Sequence, residues 1–81
     1  MRLDLSKRAR RVLKDLPAPI RKAFYKQAGL LAENLLHPSL RAKKFDESND
    51  FWQARINRDW RFYFVIEGDM YIVTNITPHP K

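Results

Sequence analysis

The sequence contains no cysteine. That excludes a disulfide framework and any zinc site built on thiolates. Histidine occurs twice, at His37 and His79, without acidic partners at ligand spacing, so no metal or other cofactor is expected. No apolar run approaches the roughly 18 residues needed to span a bilayer. The opening stretch "MRLDLSKRARR" lacks the apolar segment of a secretory signal. A cytoplasmic location is expected, with no membrane partner. Repeats, linkers and low-complexity tracts are also missing. Acidic residues are scarce: nine Asp and Glu stand against sixteen Lys and Arg, for a net charge of +7. A surplus of that size suits a polyanionic partner such as nucleic acid, the ribosome or an acidic protein.

What is present argues for a folded chain. Hydrophobic residues make up 44% of the 81, and two Trp, three Tyr and five Phe supply bulk for a core, so disorder is excluded. Eighty-one residues allow one domain, spanning 1–81. A chain this short hides only about 60–65% of its unfolded surface, so the core is thin.

Leu3 and Leu5 flank Asp4 in a short strand pattern. Ser6 sits where a helix N-cap belongs, because its hydroxyl accepts an orphan backbone N–H. Ala9, Val12, Leu13 and Leu16 follow at helical spacing, with Lys7, Arg8, Arg10, Arg11 and Lys14 on the other face. Pro17 ends this helix, and Pro19 suits the first turn of a second. Ile20, Phe24, Ala28, Leu31 and Leu35 form the apolar stripe of that second helix. It is expected to run to His37, before Pro38, with His37 serving the free carbonyls at its end. Beyond Pro38 the period changes to two. Residues 40–45, "LRAKKF", read as a strand and 46–50, "DESND", as a polar loop. Trp52, Ala54 and Ile56 alternate with polar residues, as do Trp60, Phe62, Phe64 and Ile66. Gly68-Asp69 is a hairpin turn signal, and "MYIVTNI" is the last strand, ended by Pro78 and Pro80. The order β-α-α-β-β-β-β predicts an α+β fold, with two helices on one face of a small, largely antiparallel sheet.

The stretch "QARINRDWRFYF" carries the functional signal. Placing its apolar residues on one face pairs Trp52 with Phe64, Ala54 with Phe62 and Ile56 with Trp60, around a loop at 57–59. A slip by one residue would split Trp52 from Phe62, so this register is favoured. Arg55 then faces Arg61 on the side away from the helices, with Gln53 opposite Tyr63. Like charges opposed across strands are unfavourable. Two guanidinium forks side by side make sense when an anion sits between them. The bland alternative is an Arg pair screened by water and by Asp59 or Glu67.

The segment "LRAKKF…WQARINRDWRFYFVIEGDMYIVTNITPHP" resembles the RelE/ParE superfamily of bacterial type II toxin–antitoxin toxins over essentially the whole chain. The marks are a Trp-x-x-Arg-Ile strand, the aromatic "WRF" after the hairpin, the Gly-Asp turn and a His past the last strand. For RelE- and YafQ-like members the resemblance implies a metal-independent endoribonuclease that cuts mRNA on the ribosome. It places Arg61, Arg55 and His79 in catalytic positions. It also implies substrate contacts at Lys43, Lys44 and Asp59, beside the Tyr63 and Gln53 that the register adds as candidate substrate-binding residues, and an acidic antitoxin as partner. DNA is reached only indirectly, through that antitoxin. Gln53 replaces a second basic residue of RelE-like members, and the C-terminal aromatic of many of them is missing. A ParE-like inhibitor of DNA gyrase and a non-catalytic RNA- or ribosome-binding module are the alternatives.

Overall fold

The computed structural model describes residues 1–46 and 50–79. The elements are β1 (Arg2–Leu5), α1 (Lys7–Asp15), α2 (Ala18–Glu33), a 3₁₀ turn (Pro38–Leu40), β2 (Lys43–Asp46), β3 (Phe51–Arg55), β4 (Trp60–Glu67) and β5 (Met70–Pro78). The sheet runs β1-β5-β4-β3-β2. β1 lies parallel to β5 and every other pair is antiparallel. This is the α+β arrangement expected from the sequence. Residues 47–49 of the expected polar loop, and Pro80 after the last strand, lie outside the described residues.

Local chemistry explains most element ends. The Ser6 hydroxyl accepts the Ala9 N–H at 3.1 Å and donates to the Thr74 carbonyl at 3.2 Å, so one side chain starts α1 and ties it to β5. Leu16 leaves the helix in extended geometry (φ −75°, ψ 148°), as a residue before proline prefers. α2 stops earlier than its apolar stripe suggests. It ends at Glu33, and Asn34 is extended (φ −159°), with its side-chain carbonyl accepting the Leu36 N–H at 3.0 Å. Asparagine competes with helix geometry in this way. Leu35 therefore lies beyond the helix, yet still packs half-buried against the core. His37 is also not a helix C-terminal residue: it opens the 3₁₀ turn, and its Nδ1 accepts the Ser39 N–H at 3.2 Å. Leu40 closes that turn fully buried, so β2 begins at Lys43 and not at residue 40.

The core lies between the helices and one sheet face. Phe24 from α2 meets Phe62 edge-on, with ring centroids 5.3 Å apart. Phe64 meets Tyr71 at 5.5 Å, and Trp52 stacks over Phe64 at 6.1 Å. The β3–β4 register pairs Trp52 with Phe64, Gln53 with Tyr63, Ala54 with Phe62 and Arg55 with Arg61. This is the register that burial of the alternating aromatics demands. Two bulges interrupt the sheet. Phe45 is unpaired between Lys44↔Trp52 and Asp46↔Phe51, and Thr74 is unpaired between Tyr63↔Asn75 and Phe64↔Val73. Among the described residues no helix is long and apolar enough to cross a membrane.

One buried polar residue joins the layers. The Gln27 amide donates to the Ser39 carbonyl at 3.2 Å and to the Arg55 carbonyl at 2.8 Å. It thereby fixes both the 3₁₀ turn and the end of β3 from α2. Gln27→Leu would leave both carbonyls without that donor. The expected cost is about 1–3 kcal/mol, read as a lower urea midpoint at unchanged denaturant slope.

Candidate functional site

The sheet face away from the helices carries a depression of about 460 Å³. Arg55 from β3 and Arg61 from β4 form its centre as direct cross-strand partners. Gln53 and Tyr63, the next pair along, extend it towards β2, where Lys43 pairs with Gln53. Arg41 enters from the 3₁₀ turn, and its left-handed backbone (φ 46°) turns the chain from that turn towards β2. His79 closes the far side. Its main-chain N–H donates to the Asp59 carbonyl at 2.7 Å, which fastens the chain after β5 to the β3–β4 hairpin.

Arg61 is the best-held cation in the group. Its Nη1 donates to the Asn57 carbonyl at 2.7 Å and the Trp60 carbonyl at 2.9 Å. Burial depresses its pKa below the ordinary arginine value, and the neighbouring charges of Arg55 and Arg41 depress it further. The guanidinium nevertheless stays charged, since arginine does not deprotonate in proteins. Among the described residues the ion pairs are Arg10–Asp4 and Lys44–Asp50, and neither lies in this depression. The arrangement is thus a cluster of cations around a partly desolvated Arg61, with no ion-paired acid lining the depression among the described residues, and the nearby Asp59 charge offsets the repulsion only in part. An anion with several oxygens would relieve the repulsion and satisfy the donor forks together.

Lys44 and Asp59 sit differently from the expectation. Lys44 alternates away from Lys43, pairs with Asp50 at 3.1 Å and lies 6.0 Å over the Trp52 ring, on the opposite face. The period-two geometry of a strand forces this separation. Asp59 contributes its main-chain carbonyl to His79, and it is not among the residues lining the depression. Two residues were missed, Arg41 and Phe45. Arg41 was hidden by reading residues 40–45 as one strand. Phe45 was hidden by a bulge that breaks strict alternation. Among the described residues no group of three or more His, Cys, Asp or Glu is placed to hold a metal ion.

The Arg55–Arg61 opposition has a measurable consequence. Arg55→Gln removes a like-charge pair, and in chloride it is expected to stabilise the fold by about 0.2–1 kcal/mol. Phosphate is expected to raise the melting temperature of the native protein above that in chloride of equal ionic strength, and to raise that of the variant less. Thermal melts in the two salts read both effects.

The sequence matches no protein-family model and no curated protein. Solved structures do match. A chain of the archaeal RelE–RelB complex from Pyrococcus horikoshii superimposes with a TM-score of 0.77 at 18% identity, covering 95% of this chain and 92% of that one. The YoeB/ParE toxin from Agrobacterium tumefaciens gives 0.81 at 13% identity, over 99% and 100%. A chain of the RelBE2 toxin–antitoxin complex from Mycobacterium tuberculosis gives 0.80 at 21%, over 99% and 92%. The fold is that of the RelE/YoeB/ParE toxins.

Proposed function

We propose that this chain, built on the fold of RelE and YoeB toxins, is the toxin of a type II toxin–antitoxin module and cleaves mRNA on the ribosome without a metal. The observation that carries the proposal is the cross-strand pairing of Arg55 with Arg61 inside a depression that also takes in Arg41, Lys43 and His79. In the reaction the ribose 2′-hydroxyl attacks the adjacent phosphorus. A bond forms to the 2′-oxygen and the bond to the 5′-oxygen breaks, leaving a cyclic phosphate and a 5′-hydroxyl. The pentavalent phosphorane carries more negative charge than the diester. Arg61, pre-aligned by its two carbonyl contacts, and Arg55 are aimed at that added charge. His79 is the one imidazole of the site, and an imidazole can both accept and donate a proton. It takes the 2′-hydroxyl proton or returns one to the 5′-oxygen. Lys43 and Arg41 hold the flanking phosphates, and Tyr63 and Gln53 line the approach.

The chain's +7 charge suits an acidic antitoxin, and the exposed Tyr25 and Leu36 offer apolar surface for it to cover. A second reading, a toxin that binds and inhibits without cutting, is favoured by the uncharged Gln53 between Lys43 and Tyr63. Inducible expression with growth and mRNA integrity followed together tests the pair. Growth arrest with primer-extension stops in ribosome-bound mRNA is the expected result. Arrest with intact mRNA would select the binding inhibitor.

A further inference from the structure

Arg61, Arg55 and Arg41 line one depression, but the links between them differ in kind. Arg55 and Arg61 are direct partners in the β3–β4 ladder. β2 and β3 pair antiparallel at Lys43↔Gln53, and the same register carried on by two residues would set Arg41 opposite Arg55. The ladder does not reach that far. β2 begins at Lys43, and Arg41 is left-handed, with its N–H donating to the Pro38 carbonyl at 3.3 Å across the 3₁₀ turn. A helix residue makes the missing link. The Gln27 side chain of α2 donates to the Arg55 carbonyl and to the carbonyl of Ser39, two residues before Arg41. Among the described residues it is the only buried one with an amide or charged side chain. Arg41 and Arg55 need such a link. Both also line a second depression, of about 410 Å³, together with Gln27, Ser39 and Arg58, so open space lies on two sides of them. The like charges of Arg41, Arg55 and Arg58 around that hollow push the turn and the strand end apart.

We infer that Gln27 is a positioning residue for the anion site: from inside the helical layer its amide fixes the distance between Arg41 and Arg55, and so the spacing of the two phosphates that they hold. The inference rests on the nuclease reading above and deepens it by assigning the span between the scissile phosphate and its neighbour to one side chain. The residue type fits the task. A neutral amide carries two N–H donors on one nitrogen, so it serves carbonyls of two elements at once. A lysine there would add to the cations, and a carboxylate would face two carbonyl oxygens without a donor. Arg61 is held by its own guanidinium, whereas Gln27 holds Arg55 and the turn before Arg41 by their backbones. An anchor on the backbone leaves the donor forks to an anion.

The test is built on Gln27→Met, which keeps the length of the side chain and removes its donors. Two probes are titrated into native and variant protein at equal ionic strength. One is inorganic phosphate. The other is a 2′-O-methyl trinucleotide, which has two consecutive phosphodiesters and no 2′-hydroxyl to react. Positioning predicts that the variant binds the trinucleotide about two- to tenfold more weakly, the scale for ordering one side chain on binding, and binds phosphate nearly as before. A merely structural Gln27 would lower the melting temperature and leave both affinities of the folded variant unchanged. In an Arg41→Gln background no spacing is left to set, so Gln27→Met should weaken the trinucleotide no further. On ribosome-bound mRNA the folded variant should cleave up to about a hundredfold more slowly at saturation, the scale of a misplacement near 1 Å. Should Gln27→Met fail to fold, Gln27→Asn is read in its place, since it keeps an amide that is one methylene too short to reach both carbonyls. Unchanged trinucleotide affinity, or equal losses with and without Arg41, overturns the positioning role and leaves the nuclease reading standing. A native protein that binds the trinucleotide but cuts no mRNA overturns the nuclease reading alone, because the spacing is read from binding.

Discussion

Arg61→Ala is expected to lower the rate of mRNA cleavage about 10²–10³-fold, the scale for removing one donor from a developing anion. The side chain is pre-aligned by the Asn57 and Trp60 carbonyls, so it need not reorganise as charge builds. The same contacts mean that the variant also loses a staple at the β3–β4 hairpin. A melt and a circular dichroism spectrum must therefore accompany the rate. Arg61→Lys separates the two roles: it keeps the charge and loses the planar fork, and it is expected to recover part of the rate. Primer extension on ribosome-bound mRNA measures both variants. An Arg61→Ala protein that is folded and cleaves like the native protein would sink the transition-state role. His79→Ala is read in the same assay, where a proton-transfer role predicts a loss of about 10²–10⁴-fold.

Phe62→Ala is expected to be the most destabilising substitution of the sheet, at about 3–5 kcal/mol. Phe62 is completely buried, and its ring sits between Phe24 of α2 and Phe64 of the same strand, with centroids 5.3 and 5.9 Å away. Removing it opens a cavity between the layers that rigid strands cannot close. Stabilities of small domains start near the low end of about 5–15 kcal/mol, so such a loss leaves a large unfolded fraction at growth temperature. Denaturant titration reads it directly. Phe62→Leu retains most of the volume and should cost far less. An Ala variant as stable as the native chain would mean that the layers meet elsewhere.

The parts of the fold that follow from burial were legible in the sequence. The alternation of Trp52 and Ala54 against Phe62 and Phe64 admits one register, and the structure has it. Ser6, Pro17 and Pro19 each mark a boundary through a local steric or hydrogen-bond rule, and the helices begin and end there. The misread segment was 34–45. There the Asn34 side chain ends α2, His37 opens a 3₁₀ turn through its Nδ1, and Leu40 is buried at the turn's end. Each of these is a short-range event that hydrophobic periodicity does not register. The facing arginines of the site followed from the register alone. Arg41 and Phe45 did not, because one depends on a left-handed residue and the other on a bulge. Lys44 failed for the converse reason: two adjacent lysines on a strand cannot both look into one hollow.

The parallel pairing of β1 with β5 bears on when the protein comes into being during synthesis. β5 lies between β1 and β4, and α1 packs against it, so an interior strand of the sheet is the last described strand to be translated. Arg2 must wait for Met70 before it has its pairing partner. Closing so long a loop is slow compared with forming either helix. Until residues 70–78 emerge, Tyr71, Val73 and Ile76 are missing from the core, and the stretch that holds His79 has not reached the hairpin. A nascent chain therefore lacks the complete depression around Arg55 and Arg61. The interval between the exit of the helices and the docking of the last strand is a window in which a partner already present can meet the chain before that depression is finished.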